Sequence, residues 1–329
     1  MNIDAPENES GGSAVPDSPA VNLAQDTMPA APSSTQSIPA SGALPSTTVR
    51  ADSWRTLRQT GGARIALGRA GASLPTAALL AFDLAHAQAR DAVHVPLDVE
   101  ALMSRLREDD WSVQSVRSRA AERSAYLARP DWGRRLALDD AARLRAASAS
   151  TSTRPGAGTA TDTDTDTDTD TTDSAGTATG VDIAIMIGDG LSSTAVDAHA
   201  PALLHALRPL LVGFTLAPLV IAQQARVALA DEVAELCRAQ LAICIIGERP
   251  GLSAADSLGA YLTYAPKVGR NDGERNCISN IRPGGLSLDQ AAHQIAALAR
   301  AALSRRVSGV ALRFDPTRDA IAEARPAPS

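Results

Sequence analysis

Aromatic residues are scarce in this chain: Phe, Trp and Tyr together make up 3% of its 329 residues. A core must therefore be filled by Leu, Val, Ile and Ala, of which there is ample supply. Cysteine is scarce too. Cys237, Cys244 and Cys277 are odd in number, and their spacing is neither a zinc pattern nor a disulfide framework. Reduced thiols in a cytoplasmic protein are the expectation. The opening residues MNIDAPENES carry neither a basic region nor an apolar run, so no secretory signal is read there. The apolar stretch 209–222 is too short to span a bilayer and contains Pro209 and Pro218, so no membrane is expected. A surplus of positive charge is also missing. The formal net charge is -6; residues 1–50 carry −4 and residues 151–180 carry −5, which leaves +3 on the rest. A near-neutral folded part has no basic stripe for nucleic acid.

What is present divides into blocks. Residues 1–51 are rich in Ala, Ser, Pro and Thr, residues 149–180 include a Thr-Asp repeat from Thr161 to Asp170, and residues 315–329 form a short tail. These stretches lack the apolar surface that offsets the entropy of ordering, so they are expected to be disordered. Between them stand residues 52–148, read as a helical N-terminal domain, and residues 181–314, read as an α/β domain.

In the first block Pro75 suits a helix start, and Leu79, Phe82, His86, Ala89 and Val93 recur at spacings of three and four. That periodicity predicts one buried face, with His86 a satisfied core histidine. Residues 98–106 read as a second helix, and 126–136 (YLARPDWGRRL) as an ordered turn suited to an anion. In the second block the apolar runs 181–187 (VDIAIMI), 210–215, 241–246 (LAICII) and 309–314 read as strands. Residues 192–207 and 232–240 read as helices. Ser287 and Gln290 form a capping box for a last helix that buries Leu288, Ala291, Ala292, Ile295, Leu298 and Ala299. Strands alternating with helices predict a mostly parallel, Rossmann-like sheet with flanking helices. Such a sheet binds ligands at the carboxyl ends of its strands.

Two segments fall at those ends. Gly188-Asp189-Gly190 resembles the opening of a dinucleotide fingerprint, but the third glycine position holds Ser193 and no acid ends the next strand. A tight turn that lets a ligand approach the backbone is favoured, and a dinucleotide-dependent oxidoreductase stays as the alternative. Residues 247–264 (GERPGLSAADSLGAYLTY) put Glu248 and Arg249 directly after a buried strand. A third segment, 274–283 (ERNCISNIRP), crowds Asn276, Ser279, Asn280 and Arg282 around Cys277, as surface loops that hold polar ligands do. The Thr-Asp repeat opens like a calcium loop, but Thr167 stands where glycine is needed and no Glu closes it. His94, His199, His205 and His293 form no close-spaced set, so no metal site is expected. From the residues alone, this is a parallel-sheet domain that binds a large polar ligand along two loops.

Those segments carry more. GERPGLSAADSLGAYLTYAPKVG and ERNCISNIRPGGLSLDQAA resemble the small (light) subunit of ethanolamine ammonia-lyase, as do IGDGLSSTAVDAHA, ARIALGRAGASLPTAALLAFDLAHAQARDAV, YLARPDWGRRL and SGVAL. The resemblance runs in order from about residue 52 to residue 313 and is interrupted by the Thr-Asp insert. It implies conversion of ethanolamine to acetaldehyde and ammonia by a radical mechanism that uses adenosylcobalamin. The cofactor carries the hard chemistry. It also implies a large-subunit partner that holds substrate, a higher hetero-oligomer of both subunits, and a site in the cytoplasm or in a bacterial microcompartment within it. No catalytic residue is expected in this chain. The family's corrin contacts fall on Val227 in ARVALADE, Glu248 in GERPG and Cys277 in the Cys-Ile-Ser-Asn run. No Asp-x-His-x-x-Gly motif is present, so no histidine is positioned by motif to replace the cofactor's own base.

Overall fold

The computed structural model describes residues 49–59, 64–151 and 180–312. The Thr-Asp repeat and residues 1–48 and 313–329 of the two tails lie outside the described residues. Strands Val49–Arg50 (β1) and Arg69–Ala70 (β2) form a small antiparallel pair. Helices Thr76–His94 (α1) and Val99–Glu108 (α2) follow, then strand Val113–Arg117 (β3) and helices Arg123–Ala128 (α3) and Leu138–Thr151 (α4). The second half runs Val181–Gly188 (β4), Ser193–Leu207 (α5), Leu219–Gln223 (β5), Leu229–Leu236 (α6) and Ala239–Gly247 (β6). It ends with Leu258–Tyr264 (β7), Asn276–Ile281 (β8) and Leu288–Arg305 (α7).

Six of these strands make one sheet in the order β3-β5-β4-β6-β7-β8. The first four run parallel, and β7 and β8 add an antiparallel edge. The fold is thus mixed α/β with a mostly parallel sheet. Strand β4 is central and apolar on both faces. Ile183, Ile185 and Ile187 pack with Leu203, Leu204 and Leu207 of α5 and Ile295 and Ala299 of α7. Met186 packs the other way, with Leu229 and Val233 of α6 and Leu144 of α4. A parallel strand covered on both sides must read as an unbroken apolar run, and β4 does. From β4 the chain moves to β5 on one side and then crosses to β6 on the other. That reversal opens a crevice at the carboxyl ends of β4 and β6, where ligands of open α/β sheets bind.

Several sequence expectations meet a different structure. The run 210–215 is not a strand. Residues Arg208–Leu211 form a 3-10 turn, Gly213 takes φ +97°, and the strand begins only after Pro218. The helix read at 232–240 starts earlier and stops at Leu236; Arg238 takes a left-handed φ of 54° and the chain enters β6 at Ala239. In the run 309–314, residues Gly309–Ala311 form a turn rather than a strand, and 313–314 lie outside the described residues. The block 52–148, read as helical, also contributes β3 to the edge of the sheet, where it pairs with β5 through five consecutive residues.

The largest departure is α1. Its apolar stripe exists, but the described residues do not bury it. Only Ala85 and Ala92 of the helix are buried, while Leu79, Leu80, Phe82 and Leu84 are 41–61% exposed. His86 is exposed as well, stacked on Phe82 with ring centroids 6.2 Å apart, so it is no core histidine. No helix among the described residues is long and apolar enough to cross a membrane. Exposed apolar stripes of this kind mark interaction surfaces or aggregation liabilities. Replacing Leu80 and Leu84 together by Gln should change unfolding free energy by at most about 1 kcal/mol, because both are exposed and Gln is a good helix former. The soluble fraction of the chain expressed alone should rise. Chemical denaturation and the supernatant fraction check the two halves of this expectation.

Candidate functional site

Two loops cross at the carboxyl end of the sheet, and glycine makes the crossing feasible. Gly190 in the turn after β4 has φ +57°, and a Cβ there would lie 2.1 Å from the Gly247 carbonyl oxygen. A Cβ on Gly247 would lie 2.0 Å from the Ser192 carbonyl oxygen. No side chain fits either place. The contact is sealed by the Leu191 N–H, which donates to the Gly247 carbonyl at 3.0 Å. Ser192 then caps α5 by accepting from the Ala195 N–H at 3.2 Å, and its own hydroxyl donates to the Ala255 carbonyl at 2.7 Å. The loop after β6 is thereby tied to the helix after β4.

Asp189 sits inside this turn, 3% exposed. Its carboxylate accepts from the backbone N–H groups of Gln224 and Ala225, each at 2.9 Å, and faces the Arg123 guanidinium at 3.4 Å. Burial pushes its carboxyl above the usual range, against the pull of those N–H groups and of Arg123. The glycine-flanked acid is therefore spent on fixing the chain after β5, not on a free ligand. Arg123 reaches further: it donates to the Gly190 carbonyl at 2.9 Å and, through Nε, to the Val93 carbonyl at 2.6 Å.

Helix α6 is held from both sides. Glu232 makes a two-pronged pair with Arg135 at 3.0 and 3.2 Å and accepts from the Leu136 N–H at 2.9 Å. Asp231 pairs with Arg275, and both side chains are nearly inaccessible. Val227, two residues before α6, is positioned by Asp189 on one side and by these pairs on the other.

These elements frame a cleft of about 380 Å³, lined by Tyr126, Gly190, Arg226, Val227, Glu248 and Tyr261 among others. Two of the three residues singled out in the sequence, Val227 and Glu248, share its wall. Glu248 follows β6 directly. Its Oε2 accepts from the Ser257 hydroxyl at 2.7 Å and from the Asn280 N–H at 3.3 Å. The missing side chain of Gly259 leaves room for its Oε1, which a Cβ there would approach to 2.8 Å. The third residue, Cys277, lies on β8 directly opposite Tyr261 of β7, and a side-chain hydrogen bond joins the two. It is one strand away from the cleft wall. Burial of its thiol pushes it above the usual thiol range, and the bond from Tyr261 works the other way. Tyr126, Arg226 and Tyr261 were not singled out by sequence; only long-range contacts bring them here. A larger hollow of about 680 Å³ lies beside Arg117, Arg119 and Leu138, and touches none of the three residues.

The family model of the ethanolamine ammonia-lyase light chain matches residues 51–154 and 149–313, which takes in every strand of the sheet and both loops of the cleft. The chain belongs to the ethanolamine ammonia-lyase small-subunit family. It is 49% identical to the ethanolamine ammonia-lyase small subunit of Azotobacter vinelandii over 262 residues, 79% of this chain and 87% of that one. It is 45% identical to the small subunit of Xanthomonas campestris pv. campestris over 274 residues, 83% of this chain and 91% of that one. The small subunit of Pseudomonas syringae pv. tomato is 46% identical over 265 residues, 80% of this chain and 83% of that one. Members of the family are subunits of a lyase, which sets aside the oxidoreductase alternative.

The inward-turned Asp189 ties together the turn after β4 and the chain after β5, which frame the cleft. Asp189→Ala would leave two backbone N–H groups without their acceptor and Arg123 without its counter-charge, and should cost about 3–5 kcal/mol of stability, as removal of one partner from a buried pair does. Denaturant unfolding measures it; a loss below about 1 kcal/mol would mean the turn holds without the carboxylate.

Proposed function

We propose that this chain is the cobalamin-contacting small subunit of an adenosylcobalamin-dependent ethanolamine ammonia-lyase, converting ethanolamine to acetaldehyde and ammonia together with a large subunit. The observation that carries the proposal is convergence. Val227 and Glu248 line one cleft at the point where the strand order reverses, and Cys277 pairs with Tyr261 of the same wall. They are the three positions at which the family resemblance implies corrin contacts. The Rossmann-like reading of the sheet rests on that same reversal about β4.

The residues fit part of such a ligand. A cleft of about 380 Å³ takes one rim of a corrin, not the whole, so the remainder belongs to the partner. A corrin rim bears amide groups that donate hydrogen bonds, and the Glu248 carboxylate is a strong acceptor for them. Val227 and Cys277 contribute shape, since a thiol is a weak donor and acceptor. The glycine crossing brings bare backbone up to the cleft. When bound, adenosylcobalamin supplies the radical chemistry. This chain binds and orients, and substrate is held by the large subunit. The uncovered stripe of α1, with Leu79, Leu80, Phe82 and Leu84 exposed, supports a protein partner and a hetero-oligomer of both subunits. The cytoplasm, or a microcompartment within it, is the setting consistent with three free thiols.

In complexes reconstituted with the large subunit, Glu248→Ala should weaken cobalamin binding about tenfold to a hundredfold, the loss of a charge-assisted bond of about 1.5–3 kcal/mol. The ethanolamine KM should stay within about twofold. Spectroscopic cobalamin titration and steady-state kinetics read both. Unchanged cobalamin affinity, or a selective rise in the ethanolamine KM, would remove Glu248 from the cofactor site. Cys277→Ser and Val227→Ala should be mild in the same titration, and Val227→Asp severe.

The raised thiol of Cys277 gives an independent handle. Thiolate is the reacting form, so alkylation of Cys277 should be slow at neutral pH and faster above the usual thiol range. Adding cobalamin to the complex should slow it further. Peptide mapping of the alkylated residue follows the rate; equal rates with and without cobalamin would separate Cys277 from the site.

A further inference from the structure

Helix α1 is seated lightly and tied firmly. Of its 19 residues only Ala85 and Ala92 are buried. At its end, Arg123 Nε donates to the Val93 carbonyl at 2.6 Å, and the Ser193 hydroxyl donates to the Val95 carbonyl. Carbonyls at the C-terminal end of a helix lack partners within it, so they are open to such bonds. Arg64, from the segment before α1, lies over the Phe82 ring at 5.8 Å and donates to the Leu252 carbonyl at 3.2 Å. Each tie leads to a loop of the cleft. The Arg123 guanidinium also donates to the Gly190 carbonyl at 2.9 Å and to the Gln224 side-chain oxygen at 3.3 Å, in the loops after β4 and β5. Ser193 opens α5, and its neighbour Ser192 donates to the Ala255 carbonyl of the loop after β6. Leu252 belongs to that same loop. All three loops that frame the cleft are thus tied to one helix, whose outer face carries Leu79, Leu80, Phe82 and Leu84 uncovered. None of those four residues lines the cleft.

An element with few buried apolar contacts opens at low cost, and its order is set by whatever covers it. We infer that α1 is a lever: a large subunit seated on its outer face fixes the three cleft loops through these ties, with Arg123 and Ser193 as positioning residues. The inference rests on the reading of the α1 stripe as a partner's seat. It goes beyond that reading, because it makes the order of the cleft depend on a surface outside the cleft. Loops ordered in advance leave less freedom to be lost when a ligand binds. A partner that touched the loops directly would order them without any tie, and a mutant cycle separates the two cases.

The cycle is read by amide hydrogen exchange in the complex with the large subunit, without cobalamin. Leu80→Gln thins the seat, and Ser193→Ala cuts one tie without touching the seat. The amides followed are those of Leu191, Gln224 and Ala225, which are bonded to Gly247 and Asp189 within the cleft frame. With the ties intact, Leu80→Gln should speed their exchange about fivefold to a hundredfold, the span of ordinary coupling between sites. In the Ser193→Ala background the same substitution should have an effect at least about threefold smaller, because members of one network are not additive. Arg123→Lys keeps a charge beside Asp189 but shortens the reach to Val93, and should act as Ser193→Ala does. Leu80→Ala, a smaller lesion, replaces Leu80→Gln where Gln prevents assembly. Equal effects in the tied and cut backgrounds, or no effect in either, would overturn the inference while leaving the partner reading intact. Subunits that do not associate at all would remove the partner reading, and this inference with it.

Discussion

The Asp189 carboxylate is cut off from solvent, and the backbone it grips decides where the cleft wall stands. Its two oxygens take the N–H groups of residues 224 and 225, which leave β5 with Gln224 in a left-handed conformation at φ 54°. Backbone donors that are buried must be satisfied, and a side chain reaching across from the neighbouring strand does so here. The result is a loop whose path is specified by a residue on another strand. Arg226 and Val227 follow immediately, so their places inherit that constraint. The glycines on either side serve the same end. Gly190 and Gly247 let the loops of β4 and β6 touch backbone to backbone.

The ion pairs that flank α6 work by position more than by net energy. Taking Asp231 and Arg275 out of water costs roughly what their attraction returns, so such a pair is weak evidence for stability. What it does is forbid alternatives, because any shift of α6 strands a charge inside the protein. Glu232 and Arg135 anchor the opposite side, more exposed and therefore cheaper to break. The helix also buries Leu229, Ala230, Val233 and Ala234, so the pairs add to an apolar contact that already seats it.

Legibility in the sequence followed burial. Strands β4 and β6 are covered on both faces, so their runs are unbroken and easily read. Strand β8 buries only Ile278 and Ile281, and its polar residues, Asn276, Ser279 and Asn280, look like a loop. Strand β5 was hidden in the long apolar stretch 209–222, where Pro218 and its neighbours β3 and β4 decide where pairing begins. Helix α1 teaches a different lesson: periodicity reports which side is apolar, not whether the same chain covers it. Around the cleft, Glu248 and Cys277 stand in polar segments that the residues themselves marked; their roles, and Val227, came from resemblance to a family. Asp189, Tyr126 and Arg226 did not emerge, because their roles depend on partners 35, 99 and 93 positions away. No local pattern marks such contacts.

Two unfinished features remain, and they differ in kind. The stripe on α1 is hydrocarbon, which only a protein surface covers well. The cleft is mixed, an apolar wall carrying two arginines and one carboxylate, which suits a ligand. One side chain bridges them. Arg123 donates to the Val93 carbonyl near the end of α1 and to the Gly190 carbonyl in the turn, while facing Asp189. On the proposed reading, a partner seated on α1 would steady, through this guanidinium, the turn on which the cleft wall hangs. Ordering lost side-chain and loop freedom is a main cost of binding, and a wall already ordered by the partner lowers it for the ligand. On the proposed reading, a cofactor site shared between two chains follows the same logic: a wall already ordered by the partner leaves less to be ordered when the ligand binds.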